Sequence, residues 1–286
     1  MGDYDLQSSD SGIWPAAKCR FQDYRVGSPV AASIFSGGGI LDKGIWATWY
    51  NLAAEHRDVY LSWLHDIYIP WVLKRPGLLW AAHYAVVDKS QRPVSQREKN
   101  AVHHTDDPAV PAGQQYVLIF GAAHAGVFGN PVPGAINAEL PDEGRKMLAM
   151  RTGERINVMT ENDRIECQET NTFAPGKLLA PCIQFGTYNC PWQHEEEMLA
   201  WYTQWRMPAM GRTPGVIRTR KLSSVFGWAK HGVLYEFVSL ESRNQYFPHH
   251  EDQDPDMKAW SDRMVPRLLH APGSPSLACR IWPKSV

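Results

Sequence analysis

Two imidazoles and two phenols fall close together near the start of the chain: Tyr50, His65, Tyr68 and His83. Groups of this kind give and take protons. A histidine titrates near neutral pH and so serves as general base or general acid. His83 sits among alanines in the run Ala81-Ala82-His83-Tyr84-Ala85, where small neighbours leave room for a ligand. A hydrogen-bonded core histidine would leave the same trace. Trp46, Thr48 and Tyr84 join them as candidate substrate contacts, because small-molecule pockets are lined by aromatic side chains and a few polar groups. His124 ends an apolar run just before a glycine-rich segment, the kind of position where catalytic groups often stand. Glu236 lies between Tyr235 and Phe237 in an otherwise apolar run. A buried carboxylate there needs a partner or an elevated pKa. Arg206, Arg218 and Arg220 are the nearest bases in the sequence. They read either as internal ion pairs or, with Arg206 and Glu236 as substrate contacts, as a clamp for an anionic ligand.

The elements that must position these groups occur twice. The stretch from Leu61 to Val87 returns at Leu199 to Val225, 138 residues later, without a gap. Leu61, Trp63, Pro70, Pro76, Gly77 and Val87 fall on Leu199, Trp201, Pro208, Pro214, Gly215 and Val225. Upstream, Ile45, Tyr50, Asn51 and His56 fall on Ile183, Tyr188, Asn189 and His194 at the same offset. An internal repeat decides the fold before any local reading does. In each copy an aromatic, β-branched run predicts a strand. Apolar residues at helical spacing follow, then Pro-Gly, then a second strand. The proline at 70 and 208 lacks an N–H, so a kink or break is expected there.

Further strands are expected at 115–123, weakly at 164–170, and at 232–240 and 276–282. Further helices are expected at 142–151 and 255–269. The glycine- and proline-rich segment 126–141 reads as a long loop bordering the first pocket. Each copy then has the order strand, helix, strand, strand, helix, strand, the split βαβ or ferredoxin-like unit. Its open sheet face must be buried. Packing sheet against sheet meets that need within one chain and closes a barrel-like core with helices outside. In the first strands, Ile45, Ala47 and Trp49 (with Ile183, Phe185 and Thr187) are assigned to the face under the helices. Trp46, Thr48 and Tyr50 (with Gln184, Gly186 and Tyr188) are assigned to a pocket. Residues 1–43 read as an N-terminal arm, 44–175 as the first repeat and 176–286 as the second.

Composition narrows the function classes. The 286 residues carry 29 Lys and Arg against 30 Asp and Glu, so no basic field exists to neutralise phosphates and nucleic acid is not an expected partner. No apolar run approaches the roughly 20 residues that span a bilayer, and the first residues have no secretory pattern. A cytoplasmic protein without a membrane partner is the expectation. Five cysteines without a Cys-x-x-Cys spacing suggest neither a structural zinc site nor a disulfide scaffold. The adjacent His103 and His104 read as a solvated loop, and no metal site is assigned. No Gly-x-Ser-x-Gly or His-Glu-x-x-His motif is present.

The segments Trp63…Pro70…Pro76-Gly77 and Trp201…Pro208…Pro214-Gly215 resemble the first-helix signature of the dimeric α+β barrels, in the branch of EthD-like proteins and small polyketide cyclases. The resemblance covers both repeats, roughly 44–282. It implies an α+β fold in which tandem ferredoxin-like βαββαβ repeats form the barrel within one chain. The signature has a histidine two residues before the proline. Here that position holds Tyr68 and Arg206, and His65 lies one turn earlier. The expected function is a cofactor-independent acid/base enzyme, of lyase, isomerase or cyclase type, acting on a small apolar or aromatic carbonyl or phenolic compound. Tyr50, His65, Tyr68 and His83 would act in the first half. The alternatives are a haem- or oxygen-using oxidoreductase of the same fold, or a non-catalytic small-molecule-binding protein. A small-molecule substrate is the expected partner, with a homodimer as an option.

Overall fold

The computed structural model describes residues 42–88, 102–167, 180–252 and 254–284. The arm 1–41 and the end of the strand expected at 164–170 lie outside the described residues. Among the described residues there are ten strands: β1 (Gly44–Asn51), β2 (Leu78–Val86), β3 (His103–His104), β4 (Tyr116–Ala122), β5 (Thr152–Glu166), β6 (Cys182–Asn189), β7 (Val216–Phe226), β8 (His231–Phe237), β9 (Leu269–His270) and β10 (Ser276–Trp282). Eight of them close a barrel in the order β10-β2-β4-β1-β5-β7-β8-β6, with β6 paired back onto β10. Every ladder in the ring is antiparallel. The short strands β9 and β3 extend the sheet beyond β6.

Closure explains the burial of the strands. Every residue of β4 and β8 is buried, as is all of β1 and β6 but the last residue of each. Such strands have a covered face on both sides. One face fills the barrel: Ile45, Ala47 and Trp49 meet Val117, Ile119, Ile183, Phe185, Leu222 and Leu234 there. The Trp49 and Phe185 rings lie 5.1 Å apart, so this core is shared by both halves of the sequence. The other face lies under helices. Trp46, Tyr50, Leu118 and Phe120 pack on Tyr60, Leu64, Tyr68, Ile69 and Val72. Tyr188, Val233, Tyr235 and Phe237 pack on Met198, Trp201, Tyr202, Met207 and Met210.

The face assignment from sequence is therefore corrected. Ile45, Ala47 and Trp49 point into the barrel, and Trp46, Thr48 and Tyr50 belong to the helix side. Both faces of β1 are covered, so alternation separates the two sets without saying which one faces the barrel. On the helix side Trp46 Nε1 donates to Thr48 Oγ1 (3.0 Å) and Tyr50 meets His83.

The helix over β1 and β2 runs as Arg57–Trp63, a π turn Leu64–Tyr68, then Ile69–Leu73. Over β6 and β7 the same sequence of turns occurs as Glu195–Trp201, a π turn Tyr202–Arg206, then Met207–Arg212. The expected break at proline takes this form. A proline inside a helix clashes with the carbonyl four residues earlier. The widened π turn just before Pro70 and Pro208 makes room and lets the helix continue. Gly77 and Gly215 then turn the chain at φ 86° and 75°, a conformation in which a Cβ is strained. The equivalent strands β1 and β6 begin at Gly44 and Cys182, the offset already seen in the sequence.

Two further readings are corrected. Segment 124–141 is not a long loop. It holds a 3₁₀ turn, Ala125–Gly129, and a helix, Pro133–Ala138. Phe128, Ile136 and Leu140 anchor it in the first helix-side core. Its prolines mislead because Pro133 takes the first helical turn, where a missing N–H is harmless. The short strand expected at 164–170 is the end of β5, a 15-residue strand. Half-buried Glu154 and exposed Asn162 and Asp163 interrupt its apolar alternation. The partners of β5 are β1 on one side and β7 on the other.

Candidate active site

Three of the four sequence candidates form one hydrogen-bonded line. β1 points Tyr50 toward the helix layer, and β2 points His83 the same way. Tyr50 Oη lies 2.7 Å from His83 Nε2. On the other side of that ring, His83 Nδ1 lies 2.9 Å from His65 Nε2. His65 comes from the π turn, which places it over β2. Tyr50 and His83 are fully buried, and His65 is half-buried.

Arg151, just before β5, marks the inner end. Its guanidinium carbon lies 4.7 Å from the Tyr50 ring centre and 5.6 Å from that of Tyr68. Its Nε donates to Tyr60 Oη and its Nη1 to Glu154 (2.6 Å). Tyr68 therefore belongs to the same cluster, although it is not in the line. Its hydroxyl donates to Asn137 Oδ1 at 2.7 Å.

Partner chemistry orients the line. Arg151 can only donate, so Tyr60 accepts from it. With His65 Nδ1 left free to accept a proton, His65 Nε2–H donates to His83 Nδ1, His83 Nε2–H donates to Tyr50 Oη, and Tyr50 O–H points on to Tyr60. His83 and Tyr50 each use one donor and one acceptor in that order. Burial pushes the His83 pKa well below the ordinary histidine value, and His65 and Arg151 push it the same way. Burial lowers His65 as well. Both imidazoles are thus neutral at neutral pH, the form that accepts a proton. Burial raises Tyr50 well above the ordinary phenol value, so it stays a hydroxyl. The arrangement fixes the half-exposed His65 against an interior whose positive charge, Arg151, keeps His83 neutral.

Aromatic rings surround the line. Trp282 from β10 lies 6.1 Å from His65, nearly parallel to it. Tyr116 stacks on both Tyr50 (5.5 Å) and His83 (5.4 Å). The outer edge of Tyr116 lines a pocket of about 510 Å³ with Arg57, Asp88, Gln114 and Gln115. Sequence reasoning missed Arg151, Tyr116, Arg57 and Trp282. Arg151 had one available signal, a lone basic residue directly after a helix. The other three carried none.

The remaining candidates lie elsewhere. Trp46 and Thr48 are fully buried and bond each other inside the first helix-side core. Tyr84 points into the barrel and donates to Ala180 O (3.0 Å). Glu236 is fully buried and paired with Arg218 (2.6 Å) and Arg220 (3.1 Å). Arg220 also meets Asp42 (2.8 Å). The ion-pair reading of Glu236 is the one the geometry matches. Arg206 donates to Tyr235 (2.6 Å) and pairs with Glu251 in the second helix-side core. His124 is exposed on the surface. Among the described residues no group of three or more His, Cys, Asp or Glu is placed to hold a metal ion. No helix among them is long and apolar enough to cross a membrane.

No protein-family model matches the sequence, and no curated protein does either. Solved structures do match in fold. A Fusobacterium nucleatum protein described as a monooxygenase is 7% identical over 83% of this chain and 91% of that one, with a TM-score of 0.50. An anthrone oxidase-like protein is 12% identical over 85% of this chain and 92% of that one, with a TM-score of 0.52. These neighbours are dimeric α+β barrel proteins, and this chain shares their fold. At such identities the likeness reaches the fold and stops there.

Proposed function

We propose that the chain is an oxygen-using oxidoreductase acting on a small phenolic or aromatic carbonyl compound, with its proton-transfer site in the first half. The observation that carries the reading is the Tyr50–His83–His65 line. His65, the half-exposed member, meets the substrate and takes a proton from a phenol or from a carbon acidified by a neighbouring carbonyl. His83 and Tyr50 hold the other nitrogen of His65 and so fix its tautomer and orientation, and the Arg151 guanidinium keeps His83 neutral. Tyr68 fixes the guanidinium from the other side. A general base of this kind contributes about 10²–10⁴-fold in rate. The anion left behind is electron-rich, and dioxygen is an acceptor for such anions. The descriptions of the two fold neighbours support the oxygen-using reading over lyase, isomerase or cyclase chemistry.

The same reading takes residues 44–175 and 176–286 as two ferredoxin-like units fused in one chain, so that a single chain supplies both halves of the barrel. The common offset and the paired π turns support it. The signature around Trp63, Pro70 and Pro76-Gly77 supports the EthD-like and small-cyclase branch. The test is oxygen uptake by the purified protein with a panel of hydroquinones and phenolic ketones. Uptake that matches substrate loss and falls in His65→Ala is expected. Turnover that proceeds unchanged without oxygen would return the chain to the lyase class.

A further inference from the structure

A pair of thiols outside the candidate site faces across the seam that closes the barrel. β6 and β10 pair antiparallel with Cys182 opposite Cys279. The next pair along, Arg280 and Pro181, is a hydrogen-bonded one, since Arg280 N donates to Pro181 O at 2.8 Å. Narrow and wide pairs alternate in an antiparallel ladder, so Cys182 and Cys279 form a non-hydrogen-bonded pair. Such pairs hold their Cα atoms about 4.5 Å apart and bring their side chains closest. That spacing lies inside the range a disulfide accepts. Both thiols lie on the helix side of the second half, Cys182 buried and Cys279 half-buried.

The two thiols also differ in the way a reactive pair should. A hydrogen bond from Cys182 stabilises the Cys279 thiolate and brings its pKa down to about 7, against the opposing effect of burial. The same hydrogen bond, with burial, raises Cys182. Cys279 is thus the attacking thiolate and Cys182 the resolving thiol.

We infer that Cys182 and Cys279 are a redox-active pair that closes reversibly to a cross-strand disulfide when it meets a disulfide oxidant such as oxidised glutathione. The thiolate of Cys279 attacks one sulfur of the oxidant, and the first glutathione thiolate leaves. Cys182 then gives up its proton and attacks the Cys279 sulfur of the mixed disulfide, and the second glutathione leaves. The protein loses two electrons and two protons, and the oxidant becomes two glutathione thiols. The bond would pin β10 to β6. On its other edge β10 pairs with β2, placing Cys279 opposite Ala85 and Trp282 opposite His83. Oxidation therefore fixes the strand that carries Trp282 against His65.

The test uses the full-length protein, reduced and freed of reductant, then exposed to oxidised glutathione at neutral pH. Thiol counting and peptide mass mapping are the readouts. The expected result is loss of two thiols, a peptide cross-link between Cys182 and Cys279, and full reversal by dithiothreitol. Cys182→Ser should instead stop at a glutathione adduct on Cys279, because the resolving thiol is gone. A wild-type protein that keeps all its thiols, stops at a mixed disulfide or links another pair would overturn the inference.

Discussion

The two halves of the barrel put different chemistry on the same frame. In the first half, β1 and β2 carry Tyr50 and His83, and the π turn adds His65. At the same offsets the second half carries Tyr188, Lys221 and Thr203. Lys221 donates to Leu222 O (3.2 Å) and Gly232 O (3.4 Å) and lies over the rings of Tyr188 and Tyr202. Thr203 is exposed, so no side chain at the His65 position links Lys221 outward. An imidazole has two nitrogens and can accept on one while donating on the other, whereas Lys221 has a single nitrogen turned to two backbone carbonyls. A line joining an inner to an outer side chain can therefore be built through His83, while Lys221 has no such outer partner. Both halves still hold a guanidinium against a phenol. In the first it is Arg151, just before β5, beside Tyr68, and in the second it is Arg206 from the helix on Tyr235. Strand, π turn and strand occur in both halves, and the imidazole pair stands only in the first.

The largest expected effect is on turnover. His83→Ala removes the middle of the line and should lower kcat by about 10²–10⁴-fold. Tyr50→Phe and Tyr68→Phe, which spare both imidazoles, should cost at least about tenfold each. Steady-state rates at fixed oxygen check this series. Equal losses in all three would mean that the line does not act as a graded support for His65.

The second effect is on stability. Burial pushes the Lys221 pKa down to about 7. Below its unfolded pKa the unfolded chain holds a proton that the folded protein holds only at a cost. Lys221→Met removes that cost, which is about 1.4 kcal/mol for every tenfold weakening of proton binding, before packing losses. A gain of about 1–3 kcal/mol in urea unfolding is expected at pH 7, smaller at pH 10, with turnover retained. A loss of stability at both pH values would mean that the amine is needed where it lies.

The pH dependence comes next. His65 and His83 are both depressed in the folded state. As pH falls below the unfolded value near 6.5, the unfolded chain takes up protons first, and stability declines until the folded values are reached. Unfolding free energy should fall from pH 7 to 5, and His83→Gln should flatten that fall. The acid limb of the rate profile should also lie below 6.5, because the base must be neutral. An acid limb at or above 6.5 would contradict the burial argument.

The smallest effect compares the two prolines. Pro70→Ala and Pro208→Ala both allow the π turn to relax to an α turn, each with a stability change within about 1 kcal/mol. Only the first rotates His65. Turnover should fall in Pro70→Ala and hold in Pro208→Ala.

The order of elements along the chain was legible because β1, β2, β6 and β7 are bounded by clear turn signals. The site was half legible. Tyr50, His65 and His83 share a repeat unit, so proximity along the chain carried them. Arg151 lies in the turn between the helix Asp142–Leu148 and β5, where no periodicity marks it. Trp282 and Tyr116 meet the site only through barrel closure, which no local pattern encodes. The faces of β1 were misread because alternation says that two faces differ and not which one is the barrel interior.

The central claim is that proton transfer belongs to the first half alone. Oxygen uptake by His65→Ala and Lys221→Met, measured side by side with one phenolic substrate, tests it most directly. The account predicts a loss of about 10²-fold or more in His65→Ala and less than about twofold change in Lys221→Met. Loss of turnover in Lys221→Met with His65→Ala unaffected would contradict it.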